Sequence, residues 1–418
     1  MKKNSASKSI YLLTIVMLGL WLWAIHGLMV TDVWDETNAL LLLKTPPFSI
    51  SSTADTLIYV WTHYLGLYRP LAESLVVVLQ KWGSEFQQLR YFNAAIVFAA
   101  VTMFAKALHK HFATPLLWVA IFVALTLTSS GVVITIGWFT NIFDATCLFL
   151  IALGFLLILG DHRVLGGSAI GLAFFCKETA VLAIPFLFVL NTSGKLSLKS
   201  VFKILIPVIL IAASYAVLRQ RVVTVGASND IHTFTKDIFW PSEKVFLKSF
   251  WWQHTKFSET SIHSYFGLGF LLMSIGAIRD YRNKLIALTI LFIASVAYWG
   301  MFSYQGEVVI SSLNFVGRLY LIPATLLLFL LAIDGRRFAL LILAVPLISG
   351  ATSTYVDHLR FQQLYQEIYN LTEKHNGTLT VHYSEKPLDD QIRRVRIGDY
   401  PNAAFKVDRE KAKLIAHQ

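Results

Sequence analysis

Charge is scarce in this chain: only 15% of its 418 residues are Asp, Glu, Lys or Arg, while 56% are hydrophobic. The apolar residues come in repeated runs of roughly 13 to 22, the pattern of bilayer-spanning helices, which sets aside an ordinary soluble domain. Cysteine is scarcer still. Cys147 and Cys176 both sit inside apolar runs, where they read as small packing residues with no reason to pair or bind metal, and they say little about redox compartment. The sequence also lacks any dense cluster of His and carboxylate at metal-ligand spacing. No cofactor is expected; a divalent metal would need Asp32, Asp35 and Asp144 to meet in space. Fixed internal repeats and low-complexity tracts are absent as well.

Acidic residues are fewer than basic ones, giving a net charge of +11. The Lys and Arg lie between apolar segments and in the C-terminal tail, not on one basic face, so a membrane accounts for them and no nucleic-acid partner is expected. The first run, Ile10 to Val30 after Met1-Lys2-Lys3 and Lys8, starts like a signal peptide. It is long and lacks a small-residue cleavage site, so it reads as a retained first helix.

Apolar segments at 10–30, 89–108, 115–133, 138–159, 164–176, 179–190, 201–218, 264–279, 284–303, 319–333 and 338–350 predict about eleven crossings. With a cytoplasmic amino terminus, the basic short loops around 106–111, 161–163, 195–203, 279–284 and 336–337 all fall inside, as the positive-inside rule asks. The same count puts 31–88, the connection near 131–137, the loop 219–263 and the tail from about 352 outside. Leu71 to Gln80 carries Glu73 and spans only about 15 Å as a helix, so it reads as interfacial. Residues 164–190, interrupted by Lys177-Glu178, could form one long helix. The basic loops at both ends favour two short helices that go out and return, with the charge pair near the outer turn. The expected architecture is therefore an all-α polytopic transmembrane domain over 1–351, with outer loops 31–88 and 219–263. A small α/β appendage follows over 352–418: a helix over Tyr355 to His375, a turn at Asn376-Gly377, and a strand in "TLTVHY".

Five polar features interrupt this apolar pattern. "TDVWDETN" (31–38) supplies Asp32, Asp35 and Glu36 just past the first crossing; a helix cap or dipole partner is the bland reading and a general base the chemical one. "YRPL" supplies Tyr68 and Arg69, with Pro70 at a helix start where its missing N–H costs nothing; the arginine either snorkels to headgroups or binds a specific anion. "CKETAVLAIP" supplies Lys177 and Glu178, costly charges among apolar halves that either pair with each other or carry function. "GRLYLIP" supplies Arg318 and Tyr320, as belt anchors or as ligand groups. Asp144 stands about seven residues inside its expected crossing, where an Asp pairs or lines a wet cavity. In the loop 219–263, Trp251 and Trp252 suit either a sugar-stacking platform or an interfacial belt. Under the predicted topology all five features face one outer layer. That placement suits a reaction at the membrane surface better than a transport path, whose charges would sit near the midplane.

The order of these features, a first helix followed by Asp-Glu, then "YRPL", "LRYFNAAIVF", "CKETAVLAIP" and "GRLYLIP" over residues 1–333, resembles the GT-C superfamily of membrane glycosyltransferases. It is similar to the type that includes protein mannosyltransferases and aminoarabinose transferases. The resemblance implies a polyprenyl-phosphate-linked sugar donor and an acceptor on the periplasmic face of a bacterial inner membrane, with the tail periplasmic. It implies Asp35 as the acceptor-activating base, beside Glu36 and with Asp32 as a second candidate. Arg69, Lys177, Arg318 and Tyr320 would bind the donor phosphate, with Tyr68, Asp144 and Glu178 in support, and direct displacement would invert the anomeric centre. The short tail disfavours en bloc oligosaccharide transfer. A single sugar added to an envelope glycan or glycolipid, such as lipopolysaccharide or O-antigen, is the first expectation. A lipid-linked glycan flippase or other transporter, a polysaccharide polymerase or ligase using Arg219, Arg221, His232, His254 and His263, and a protein O-glycosyltransferase are the competing ones.

Overall fold

The computed structural model describes residues 51–63, 68–82, 86–137, 141–192, 196–223, 321–333 and 340, isolated positions 16 and 19, and short segments between 380 and 417. Through residue 340 the described residues form helices and turns without a strand. The helices, numbered in order of description, are α1 (Thr53–Thr62), α2 (Pro70–Lys81), α3 (Phe86–Phe112), α4 (Leu116–Leu127), α5 (Ser130–Gly137), α6 (Ile142–Leu159), α7 (Arg163–Ala173), α8 (Ala183–Thr192), α9 (Leu198–Val223) and α10 (Leu321–Ile333). By length and composition α3, α6 and α9 are apolar enough to cross a membrane.

Side-chain contacts fix the directions. Leu89 packs with Ile142, and Phe104 lies 6.1 Å from Phe155, so α3 and α6 run alongside in the same sense. Asn93 donates to the Thr135 carbonyl at 3.2 Å, so α4 and α5 return to the end where α3 began. α7 climbs back from α6, and the Phe186 ring of α8 lies tilted 5.1 Å from Phe155, so α8 descends again. α9 then rises beside α7: Phe175 meets Tyr215 at 5.3 Å and Glu178 meets Arg219. α10 descends, placing its Ala332 carbonyl at Thr114 and Phe329 against Phe104 and Phe112. The ends of the bundle are therefore unlike. One gathers α2, Asp144, Lys177, Glu178 and Arg219 and is called the polar end below; the other holds the α3–α4 and α6–α7 reversals.

Both reversals use a left-handed residue to stop a helix, Ala113 at φ 51° and Asp161 at φ 66°. In each the next amide reaches back into the last turn, Thr114 N–H to Leu108 O at 3.1 Å and His162 N–H to Leu157 O at 2.9 Å. The His162 bond is the Schellman one and the Thr114 bond spans one residue more; both satisfy carbonyls the helix would leave without partners. α7 is wedged between α6 and α9 by glycine. A Cβ on Gly166 would stand 2.6 Å from the Gly154 carbonyl, and one on Gly167 would stand 2.5 Å from the Ile204 carbonyl, so backbones touch there as in small-residue membrane packing. α9 turns its other face outward, with Phe202, Ile206, Ile209 and Leu210 all more than half exposed. An apolar exterior of that length needs lipid or protein over it.

Several expectations change in detail. The run expected over 115–133 is two helices broken at Thr128-Ser129. There the Thr128 and Ser129 hydroxyls bond back to the Ala124 and Thr126 carbonyls, and α5 continues to Gly137. Residues 219 to 223, expected to open the long loop, belong to α9, which continues through Val223. Residues 164–190, by contrast, keep the expected form of two short helices and not one. Pro185 lacks the N–H that an unbroken helix would bond to the Val181 carbonyl, and a 3₁₀ turn over Glu178–Leu182 takes up the reversal. The segments at 264–279 and 284–303, the rest of 10–30 and 338–350, the helix over Tyr355 to His375 and the Asn376-Gly377 turn lie outside the described residues. In the tail the backbone forms short strands, of which Arg393–Ile397 and Tyr400–Phe405 pair antiparallel.

Candidate functional site at the polar end

"YRPL" closes the polar end. Pro70 occupies the first helical position of α2, and Arg69, just before it, sits at φ −137° and ψ 58°. The Leu71 amide donates to the Phe175 carbonyl at 3.3 Å, and Trp61 of α1 donates its indole N–H to Ser74 at 2.9 Å. The α1–α2 hairpin is thus tied to the turn after α7. Tyr68 is buried, donating its hydroxyl to the Trp61 carbonyl at 3.1 Å.

Lys177 and Glu178 do not pair with each other. Lys177 has extended backbone, φ −165° and ψ 144°, which sends adjacent side chains in opposite directions. Its ammonium lies 2.5 and 2.6 Å from the two oxygens of Asp144, and both side chains are 3% exposed. Asp144 is in the first turn of α6, not deep within a crossing, because α6 begins only at Ile142; there the helix dipole favours its charge. The Cys147 thiol, one turn on, faces the Lys177 carbonyl at 3.8 Å.

Glu178 points the other way, into a group of three cationic and phenolic side chains. Arg69 Nη2 reaches its Oε2 at 3.4 Å and Arg219 Nη1 reaches its Oε1 at 3.1 Å. The Tyr215 hydroxyl stands 3.1 Å from Glu178 Oε1 and 3.1 Å from the Tyr68 carbonyl, and its single proton serves one of these acceptors at a time. Arg69 also lies over the Phe143 ring at 5.1 Å. Burial pushes the Glu178 carboxyl up, but the Arg69 and Arg219 guanidiniums outweigh it and hold the group below the usual carboxylate range. Glu73, one turn into α2, goes the other way: burial pushes it up to about 8 against the opposing pull of Arg69. At neutral pH Glu73 is therefore mainly protonated.

No family model, no curated protein and no solved structure matches this chain. The site is accordingly read from its own residues. Of the sequence-derived candidates, Tyr68, Arg69, Asp144, Lys177 and Glu178 come together at one end of the bundle. Asp32, Asp35, Glu36, Trp251, Trp252, Arg318 and Tyr320 lie outside the described residues. Lys177 is enclosed and neutralised by Asp144, which makes it a support for the turn that carries Glu178. Arg69 keeps a partly exposed position at 13%.

Arg219 and Tyr215 join the site although the sequence opens a loop at 219. Ile204, Val208, Tyr215 and Arg219 fall at spacings of four and seven on the face of α9 that meets α7. That periodicity was the available signal. Arg90 of "LRYFNAAIVF" is also fully enclosed, at 1% exposure, near the start of α3. Among the described residues no group of three or more His, Cys, Asp and Glu is placed to hold a metal ion.

Proposed function

We propose that this chain is a multi-pass membrane glycosyltransferase. It moves one sugar from a polyprenyl-phosphate carrier to an envelope glycan or glycolipid on the periplasmic side of a bacterial inner membrane. The observation that carries the reading is the convergence of Arg69 and Arg219 on Glu178 at one end of an apolar helix bundle. Two guanidiniums against one carboxylate leave that trio with one excess positive charge, and guanidinium forks match phosphate oxygens. Charge at the end of the bundle, not along its middle, suits a headgroup reaction.

In this reading the acceptor hydroxyl gives its proton to Asp35 as its oxygen forms a bond to the anomeric carbon. The bond from that carbon to the carrier phosphate breaks, the phosphate oxygen keeps the electron pair, and the configuration inverts. The cations at the polar end oppose the charge that grows on the leaving phosphate. Arg318 and Tyr320, three residues and one residue before α10, are assigned to the same layer on sequence grounds. Trp251 and Trp252 are assigned to the sugar.

The test is reconstitution of the purified chain in vesicles with a polyprenyl-phosphate-linked sugar and envelope glycolipid. A new glycosidic bond seen by mass spectrometry supports the proposal, and carrier that stays fully charged with sugar overturns it. One added residue or many separates single transfer from polymerisation. A second reading, a lipid-linked glycan transporter, is favoured by the enclosed Lys177–Asp144 pair, since buried ion pairs mark substrate paths. Movement of labelled carrier across the vesicle with no new bond selects it.

A further inference from the structure

Glu178 bridges two arginines, its two oxygens taken by guanidiniums from different elements, Arg69 before α2 and Arg219 near the end of α9. Its position is over-determined. The residue before it is pinned by Asp144, Glu178 itself opens the 3₁₀ turn, and Tyr215 offers a hydroxyl to the same oxygen that Arg219 holds. Tyr215 lies one turn before Arg219 on α9 and also touches the Tyr68 carbonyl next to Arg69, so one phenol tracks both arms of the bridge.

We propose that Glu178 is a spacer that holds the Arg69 and Arg219 guanidiniums as a two-armed cradle for one phosphate group, with Arg219 as a binding residue equal to Arg69. The proposal rests on the transfer reading only for the identity of the phosphate, that of the polyprenyl carrier. Arginines without a shared carboxylate would repel each other and pay side-chain entropy on closing around a ligand; the carboxylate removes both penalties beforehand. Because Glu178 carries one charge and the arginines carry two, the cradle stays attractive to an anion after it has been pre-formed. Glu178 itself is a positioning residue: it touches the cations, not the phosphate.

The experiment has two arms on the full chain. In the first, nitroxide labels at Trp82→Cys after α2 and Val217→Cys on α9, both exposed positions, report by pulsed electron resonance the separation of α2 and α9, the helices that Arg69 precedes and Arg219 belongs to. The buried Cys147 and Cys176 stay unlabelled. Glu178→Gln is expected to broaden or shift that distribution; an unchanged distribution overturns the spacer.

In the second arm, binding of polyprenyl phosphate, phosphatidylglycerol vesicles and inorganic phosphate is measured for the parent, Arg219→Gln, Arg219→Lys and Glu178→Gln. Arg219→Lys keeps the charge should the glutamine variant fail to fold. Either Arg219 variant is expected to weaken polyprenyl phosphate binding about tenfold or more, as loss of a charge-assisted hydrogen bond does. Parent-like affinity in folded Arg219 variants overturns the assignment of Arg219, and preferential binding of phosphatidylglycerol overturns the carrier as ligand. If no sugar is transferred while the distance shift and the Arg219 effect both appear, the cradle stands and the transfer reading falls.

Discussion

The ammonium of Lys177 sits between the two oxygens of Asp144, at 2.5 and 2.6 Å, with both side chains 3% exposed. Removing one partner of such a pair strands the other charge in an apolar interior, which costs about 3 to 5 kcal/mol. Asp144→Asn or Lys177→Met alone is therefore expected to lower the unfolding midpoint steeply in detergent. The double variant is expected to recover most of the loss, since two neutral groups leave no stranded charge. A double variant as unstable as the sum of the singles would show that the pair is not a closed unit.

The α6–α7 contact offers a test of packing at the same level. A methyl group on Gly166 would meet Ile158 Cγ1 at 2.5 Å and the Gly154 carbonyl at 2.6 Å, and backbone cannot give way as a side-chain tip can. Gly166→Ala is expected to cost about 1 to 3 kcal/mol through forced separation of the helices. Gly160→Ala, whose nearest atom is 3.4 Å away, serves as the control expected to stay near the parent. Thermal unfolding of the two variants side by side measures the difference.

These contacts also show what could be read from sequence and what could not. Apolar runs fixed the existence of α3, α6 and α9, since about 20 apolar residues have few other uses. The expected ends were short for α3 and α9, while α6 starts four residues later than expected: Phe86 to Gln88 extend α3 at its start and His109 to Phe112 at its finish, and polar residues continue a helix as readily as apolar ones. Lys177 and Glu178 were visible as misplaced charges. Their partners were not, because Asp144 and Arg219 are brought to them only by the antiparallel pairing of α6 with α7 and the parallel pairing of α7 with α9. Arg219 was hidden for a second reason. A hydropathy reading ends a helix where the charge begins, and here the helix runs on for one more turn.

The charges at the opposite end make an orientation testable. Lys106 and Lys110 on α3 and Lys199 and Lys203 on α9 are exposed there, and Arg163 opens α7 beside them. In a membrane this end is expected to be cytoplasmic, which turns the polar end outward. Reporter fusions after Gln80 and at Gln418 are expected to report the outer side in both cases. A cytoplasmic signal from the first would place α1 and α2 on the wrong side for the proposed reaction.

Glu73 gives a pH dependence of defined sign. Its pKa in the folded chain is about 8, above the ordinary 4.5, so between those values the folded state holds a proton that the unfolded state has released. Stability linked to this group is then fully present below about pH 4.5, falls as pH rises, and has been lost above about pH 8. Glu73→Gln keeps the shape of the protonated acid and is expected to flatten that decline. The check is the unfolding midpoint of parent and variant at a series of pH values from 5 to about 9; equal slopes would show that Glu73 is not held protonated.

Asp35 carries the chemical part of the proposal and can be separated from everything above. A general base contributes about 10² to 10⁴ in rate, and an amide of the same size cannot take the proton. Asp35→Asn is thus expected to lower sugar transfer by about that factor while leaving polyprenyl phosphate binding at the Arg69 and Arg219 end unchanged. Asp32→Asn and Glu36→Gln are expected to do less, because the resemblance assigns the base to Asp35 and leaves its neighbours as caps or supports. Full activity of Asp35→Asn, with loss in Asp32→Asn instead, would move the base by three residues and keep the mechanism. Full activity in all three would remove proton abstraction from "TDVWDETN" altogether, and the acceptor would then have to be activated by a group elsewhere in the outer layer.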